Sequence, residues 1–151
     1  MKRKTLVYVA MAGLTAAFGI APLIGRSGQG ASAQAAAAAP AAPQAKVTSL
    51  MSRDLKDLPG KEGLMITVEY PPGSVDPVHR HNAHGFIYVL EGSIVMQVRG
   101  GKEVTLKPGD TFYEGPDDVH TVGRNASTTD PAKFVVFFVK DKGAPILVPE
   151  K

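Results

Sequence analysis

The sequence predicts an all-β domain over residues 47–151, built as a small antiparallel barrel or sandwich. Two observations favour this fold class. Short apolar runs rich in strand-forming residues follow one another at close, regular spacing, and each run stops at a turn that contains glycine or proline. No stretch of this region has a convincing helical period, the one exception being a turn near residues 52–58.

The predicted strands follow in order along the chain. The first reads LMITVEY and stops at a Pro-Pro-Gly turn, and the next two, FIYVL and SIVMQV, each end at glycines. Between the third and fourth strands, Gly100 and Gly101 are suited to a hairpin turn because glycine adopts positive φ without steric cost. We predict strands at residues 64–70, 86–90, 93–98, 104–106, 111–113, 119–122 and 134–139.

Two of these strands, FIYVL and FVVFFV, are apolar on both faces. One face of each packs into the core, and the other needs cover from a second sheet or a second subunit. A homodimer is the simpler explanation, so we expect two copies to associate.

Composition excludes several classes of function. The chain has no cysteine, which excludes disulfides, thiolate metal sites and cysteine nucleophiles. The formal net charge of +3 is misleading, because from Gln34 onward 13 lysines and arginines stand against 14 aspartates and glutamates. A folded region that is slightly acidic does not favour nucleic acid as a partner.

Residues 1–33 have the pattern of a secretory signal peptide. Lys2, Arg3 and Lys4 form a positive n-region, an apolar run follows, and Ala-Ser-Ala at 31–33 fits the cleavage rule, which predicts a mature start at Gln34. The apolar run is also long enough for an uncleaved membrane anchor. On either reading we expect the rest of the chain to be periplasmic or secreted. Residues 34–46 are rich in alanine and proline and predict a flexible linker.

All four histidines of the chain lie in two short stretches. His79, His81 and His84 fall close together, and His120 follows later. On a strand, His79 and His81 point to the same face, and two imidazoles joined by a third from another strand form a facial metal site. The alternative is a set of surface or core histidines with ordinary hydrogen bonds.

These residues resemble the two motifs of the cupins, a family of small β-barrels that often hold a metal. In the first motif, Gly73 precedes His79-Arg80-His81 by five intervening residues, and Gly92 closes it. In the second, Gly109 and His120 have the family's separation, while the proline is displaced by one position to Pro116. The resemblance covers about residues 64–140 and implies a single-domain cupin of the antiparallel jelly-roll type.

One position departs from the family pattern. The metal-binding glutamate of the first motif is expected at position 85, where this chain has Gly85, and counting from His81 instead leads to Phe86. The remaining ligand set is His79, His81 and His120, which resembles the three-histidine iron sites of thiol dioxygenases. We predict no catalytic residue beyond the metal ligands.

The resemblance implies a divalent transition metal. Iron is favoured, and zinc, nickel, copper and manganese are alternatives. The leading hypothesis is an exported iron-dependent dioxygenase that acts on a small organic molecule. The alternative hypotheses are a non-catalytic module that binds a metal or a small ligand, and a barrel that has lost its metal. The chain contacts a membrane only if the N-terminal segment stays uncleaved.

His84 has two readings. Regular strand alternation points it away from the metal, but it lies in the loop before the strand, beside Gly85, which leaves space. We therefore keep it as a tentative fourth ligand. Asp117 and Asp118, just before His120, are candidates for orienting its imidazole.

Overall fold

The computed structural model describes residues 43–150 and contains ten β-strands and no helix within that range. The all-β prediction is confirmed. The predicted signal segment, residues 1–33, and the linker up to residue 42 lie outside the described residues. No helix of the described part is long and apolar enough to cross a membrane. The strands are β1 Lys46–Asp54, β2 Lys61–Tyr70, β3 His79–Arg80, β4 Ala83–Glu91, β5 Ile94–Val98, β6 Val104–Leu106, β7 Thr111–Glu114, β8 Val119–Asn125, β9 Ala132–Asp141 and β10 Val148–Pro149.

The strands form two five-stranded antiparallel sheets. The first has the order β1-β2-β9-β4-β7 and the second the order β10-β3-β8-β5-β6. Strands that follow one another in sequence often lie in different sheets, which is the crossing pattern of a jelly roll. The two cupin motifs are therefore divided between the sheets: β4 and β7 lie in one, β3 and β8 in the other.

The core lies between the two sheets. On β4 the burial alternates, with Ile87 and Val89 buried and Phe86 and Tyr88 exposed. Ile94 and Met96 of β5 meet this layer from the second sheet. Each such apolar side chain stabilises the fold by about 1.5–3 kcal/mol when it is fully buried.

The expected turn near residues 52–58 is part strand and part turn. Residues up to Asp54 belong to β1, a strand the sequence did not predict, and a short non-helical turn follows. Every residue of β1 is exposed, so the strand has no burial pattern to reveal it. Its extended conformation comes from antiparallel pairing with β2, from Lys46 opposite Glu69 to Asp54 opposite Glu62.

The two strands predicted to be apolar on both faces lie in β4 and β9, which are neighbours in the interior of the first sheet. Their outward side chains form a row across the sheet: Met65 is opposite Phe137, Phe137 opposite Phe86, and Phe86 opposite Tyr113. Phe86 and Tyr113 are about half exposed, at 50% and 51%. This outer apolar face, defined by Met65, Phe86, Phe137 and Tyr113, lies on the side of the sheet away from the core.

Candidate metal centre

The structure brings three of the four histidines together. β3 carries His79, His81 follows directly after it, and β8 carries His120 in register opposite His79. The ring centroids of His79 and His120 are 5.1 Å apart, and those of His79 and His81 are 4.7 Å apart. His79 and His120 are buried, and His81 is nearly so. The two cupin motifs therefore converge on one cluster of imidazoles.

Backbone carbonyls orient two of these rings. His79 Nδ1 lies 2.7 Å from the carbonyl of Pro77, and His81 Nδ1 lies 2.5 Å from the carbonyl of Ile146. A carbonyl only accepts, so each Nδ1 carries the proton and each Nε2 presents a lone pair. The two Nε2 atoms are 3.1 Å apart. Two lone pairs at this distance repel unless they share a cation.

Glu114 completes the cluster, and sequence reasoning missed it. It ends β7, is 2% exposed, and its Oε2 contacts His120 Nε2, while Oε1 lies 3.4 Å from His81 Nε2. The predicted strand at 111–113 stopped one residue short of it. The available signal was an acidic residue at the end of a strand-like run, two positions before Pro116.

The carboxylate expected at position 85 is thus supplied from the neighbouring strand. Gly85 and Glu114 are register partners on β4 and β7. A Cβ added at Gly85 would lie 2.6 Å from Glu114 Cγ and 2.9 Å from Cδ, well inside contact distance. The glycine therefore leaves the space through which Glu114 reaches the histidines. A carboxylate therefore lies beside the histidines, although the first motif has none at position 85.

The donor set fits a divalent transition metal. Ligand atoms of His81, Glu114 and His120 lie within 4.8 Å of one another. Within the described residues, Glu114 Oε2 and His120 Nε2 are buried against each other and have no other polar partner, an arrangement that a shared cation would satisfy. Burial lowers the pKa of His81 despite the opposing charge of Glu114, and neutral imidazole is the form that binds metals.

His84 does not join this cluster. Asn82, at φ +47°, turns the chain between His81 and β4, and His84 then points to the opposite face of β4 from Gly85. Its Nδ1 is 2.8 Å from the hydroxyl of Tyr113 on the exposed side of the sheet. Loop geometry thus separates His84 from His81, although they are close in sequence.

Asp118, just before His120, has a different role from the one considered. Asp118 Oδ2 accepts a hydrogen bond from Gly115 N at 2.7 Å and closes the turn between β7 and β8. The groups that accept hydrogen bonds from imidazoles at this centre, and so orient them, are the carbonyls of Pro77 and Ile146.

A cavity of about 390 Å³ opens beside the cluster. Its walls are largely apolar, with Ile66, Phe134 and Val136 from one sheet and Met96 from the other. Three further polar side chains line it, Gln44, Tyr70 and Asp76, and the hydroxyl of Tyr70 donates a hydrogen bond to Asp76 Oδ2. A cavity of this size holds a small organic molecule.

Comparisons with known proteins agree with this architecture. The model of the cupin domain family matches residues 66–138. No curated protein matches the sequence. An uncharacterized conserved protein with a double-stranded β-helix domain from Klebsiella pneumoniae is 20% identical, with a TM-score of 0.56, over 75% of this chain and 90% of its own.

Two enzymes are also similar in structure. Oxalate oxidase in complex with the substrate analogue glycolate is 26% identical, with a TM-score of 0.52, over 69% of this chain and 54% of its own. The DMSP lyase DddQ from Ruegeria pomeroyi is 23% identical, with a TM-score of 0.52, over 58% of this chain and 42% of its own. The chain thus spans less than half the length of this lyase.

Two antiparallel sheets that close around a buried cluster of histidines and a carboxylate define a double-stranded β-helix with a metal-binding centre. The sequence motifs, the family match and the structural relatives agree on its identity. Residues 66–138 form a cupin domain, and its two sheets have the double-stranded β-helix fold of its structural relatives.

Proposed function

We propose that this protein is a metal-dependent enzyme that acts on a small organic molecule, with one divalent transition ion held by His79, His81, His120 and Glu114. The observation that carries the proposal is the convergence of three imidazoles and the buried Glu114 carboxylate on the wall of a cavity of about 390 Å³. The buried atoms His120 Nε2 and Glu114 Oε2 face each other and have no polar partner outside this cluster, whereas histidines that only stabilise the fold are normally hydrogen-bonded to other groups.

The fourth ligand changes the kind of site expected. Three neutral imidazoles leave a divalent ion with its full charge of +2, whereas Glu114 reduces the charge of the centre to about +1. The resemblance to thiol dioxygenases depended on the absence of a carboxylate, so that likeness is no longer an argument for thiol substrates. A three-histidine, one-carboxylate set accepts iron, manganese, zinc, nickel or copper, and we keep iron as the first candidate.

When bound, such an ion supplies Lewis acidity and, if it is redox-active, one-electron chemistry. The chain's own residues do the rest. Pro77 and Ile146 hold the rings of His79 and His81 in the ligand tautomer. The apolar wall excludes water and strengthens the electrostatic interactions inside the cavity.

We propose oxidation of the bound molecule as the reaction class. Oxalate oxidase, a structural relative at 26% identity, is by its name an oxidase of a small organic acid, which supports this class. The second candidate is a non-catalytic module that binds a metal or a small ligand. The scarcity of acid–base groups favours it: beyond the four ligands, Tyr70 and Asp76 are the titratable side chains of the described residues that line the cavity. Oxygen uptake with candidate substrates distinguishes the two, with His81→Ala as the inactive control.

Metal content tests the proposal directly. We expect the protein, purified without chelator or histidine tag, to contain about one transition ion per chain by elemental analysis, and the His79→Ala/His120→Ala double variant to contain almost none. His84→Ala is the matched control, because it removes an imidazole from the outer side of the sheet and should leave the metal content unchanged. A protein that holds no metal and takes none up on reconstitution would exclude a metalloenzyme.

We also propose that the protein is exported. The proposal rests on the charged, apolar and small-residue pattern of residues 1–33, which lie outside the described residues. A mature N-terminus at Gln34 in the periplasm or medium is the expected result.

A further inference from the structure

The cavity has a second polar end, formed by Tyr70 and Asp76. Tyr70 is 1% exposed, its ring packs edge-on against Phe134 with centroids 5.0 Å apart, and its hydroxyl donates to Asp76 Oδ2. Asp76 is fixed through its backbone, whose N–H donates to the carbonyl of Gly123 at 2.8 Å. Both side chains are therefore held in place before any ligand enters.

Gly123 leaves the room that this pair occupies. A Cβ at Gly123 would lie 3.2 Å from Asp76 Oδ2 and 3.3 Å from the Tyr70 hydroxyl, tighter than ordinary contact. Gly123 is three residues beyond His120 on β8, a stretch that includes a register irregularity and spans at most about 10 Å. The pair and the metal centre line the same cavity.

The pair offers acceptors and lacks a compensating charge. Within residues 43–150, the Tyr70 phenol is the one side chain that donates to the Asp76 carboxylate, and no lysine, arginine or histidine pairs with it. Arg124 lies opposite Val75, the residue before Asp76, but its guanidinium pairs with Glu103 at 3.0 Å instead. Burial, reinforced by the Asp76 charge, raises the pKa of Tyr70, so the phenol keeps its proton and points it at Asp76. The remaining lone pairs of both groups are available to accept.

We infer that Tyr70 and Asp76 recognise a hydroxyl or amino donor on the substrate, at the end opposite to the atom that the metal binds. The ligand class is a compact molecule with a metal-binding oxygen at one end, a hydrogen-bond donor at the other, and an apolar middle that contacts Ile66, Met96 and Phe134. This inference rests on the proposed function, because the metal centre defines the other end of the ligand.

Calorimetric titration of the zinc-loaded protein tests the inference, since zinc is redox-inert and prevents turnover. The probes are 4-hydroxybenzoate and 4-methylbenzoate, which have nearly the same shape and differ in the donor. We expect 4-hydroxybenzoate to bind about tenfold or more tightly, because a hydrogen bond to a charged group is stronger than one between neutral groups. In Asp76→Asn we expect this preference to fall severalfold, while zinc content stays the same.

Two further variants separate recognition from folding. Tyr70→Phe keeps the ring packed on Phe134 and removes the phenol oxygen, so we expect it to reduce the preference without changing zinc content. Asp57→Asn, in the exposed turn after β1, removes a carboxylate outside the cavity and should leave the preference unchanged.

The outcomes that overturn the inference are distinct from failure of the proposed function. Equal binding of the two probes, an unchanged preference in Asp76→Asn, or no binding of either probe by protein that contains zinc would overturn the inference alone. Protein that takes up no metal would overturn the proposed function, and the inference with it.

Discussion

At the residue scale, the candidate metal centre depends on the small size of Gly85. Gly85 occupies the position where the family motif places a glutamate, and the space above it is filled by the carboxylate of Glu114 from the next strand. The histidines were predictable because cupin motifs specify them by spacing along the chain. Glu114 was not, since its contribution depends on register between β4 and β7, which spacing does not encode.

Variants that exchange Gly85 and Glu114 test whether the Glu114 carboxylate takes the place of a glutamate at position 85. We expect Glu114→Gln to lower metal affinity about tenfold or more, because it removes a charged ligand. Gly85→Glu alone should destabilise the protein by about 1–3 kcal/mol, since the new side chain collides with Glu114. The double variant Gly85→Glu/Glu114→Gly should recover both stability and metal content. Thermal melts and elemental analysis measure the two effects. A double variant that stays metal-free would contradict the view that one carboxylate replaces the other.

At the element scale, a buried ion pair joins β2 to β9 and extends to the C-terminal segment. Lys140 is 3% exposed, and its ammonium donates to Glu62 Oε1 at 2.5 Å and to the carbonyl of Ala144 at 2.6 Å. Two residues later, the carbonyl of Ile146 accepts from His81. The pair therefore holds the start of the segment that orients a metal ligand.

The Lys140–Glu62 pair makes the free energy of unfolding depend on pH. Hydrogen bonds from Lys140, Ser52 and the Gly143 backbone lower the pKa of Glu62 from 4.5 to about 2. A carboxylate whose pKa is lower in the folded state stabilises the fold above its unfolded pKa, and this contribution is lost as pH falls from about 4.5 to about 2. We expect the unfolding free energy, from urea titrations across this range, to decrease more steeply in the parent protein than in Glu62→Gln. Parallel profiles would contradict the assignment. Glu103→Gln, which removes an exposed carboxylate paired with Arg124, is the control.

At the scale of the whole molecule, the outer apolar face has no cover within the described chain. Phe86, Tyr88 and Tyr113 are each about half exposed on one side of the first sheet, and the central strands β4 and β9 are apolar on both faces. The burial pattern agrees with the sequence-based reasoning about these strands. The homodimer that was expected from it stays a prediction.

Light scattering after size exclusion measures the assembly state. We expect the parent protein to have the mass of a dimer at micromolar concentration, and Phe86→Glu to have that of a monomer, because a charge at the centre of an apolar face opposes its burial. Leu58→Glu, at an exposed position in the turn between β1 and β2, should leave the dimer intact. A monomeric parent protein would show that this face serves another purpose.

The sequence by itself determined the fold class and the positions of the three clustered histidines. Alternating apolar residues and the glycines between them specify strands and turns locally, and two motifs specify His79, His81 and His120. Strands without burial, such as β1, and very short ones, such as β3 and β10, carry no periodic signal and exist because a partner strand pairs with them.

Only the tertiary structure decided which polar groups face one another. It placed Glu114 over Gly85, His84 on the outer side of the sheet, and the Tyr70–Asp76 pair on the wall of the same cavity as the metal centre. The physical reason is that these relations depend on strand register and on the backbone turn at Asn82, which bring together residues far apart in the chain and separate residues that are near. The first motif has no carboxylate at position 85, but the sequence contains one at Glu114, on the neighbouring strand β7.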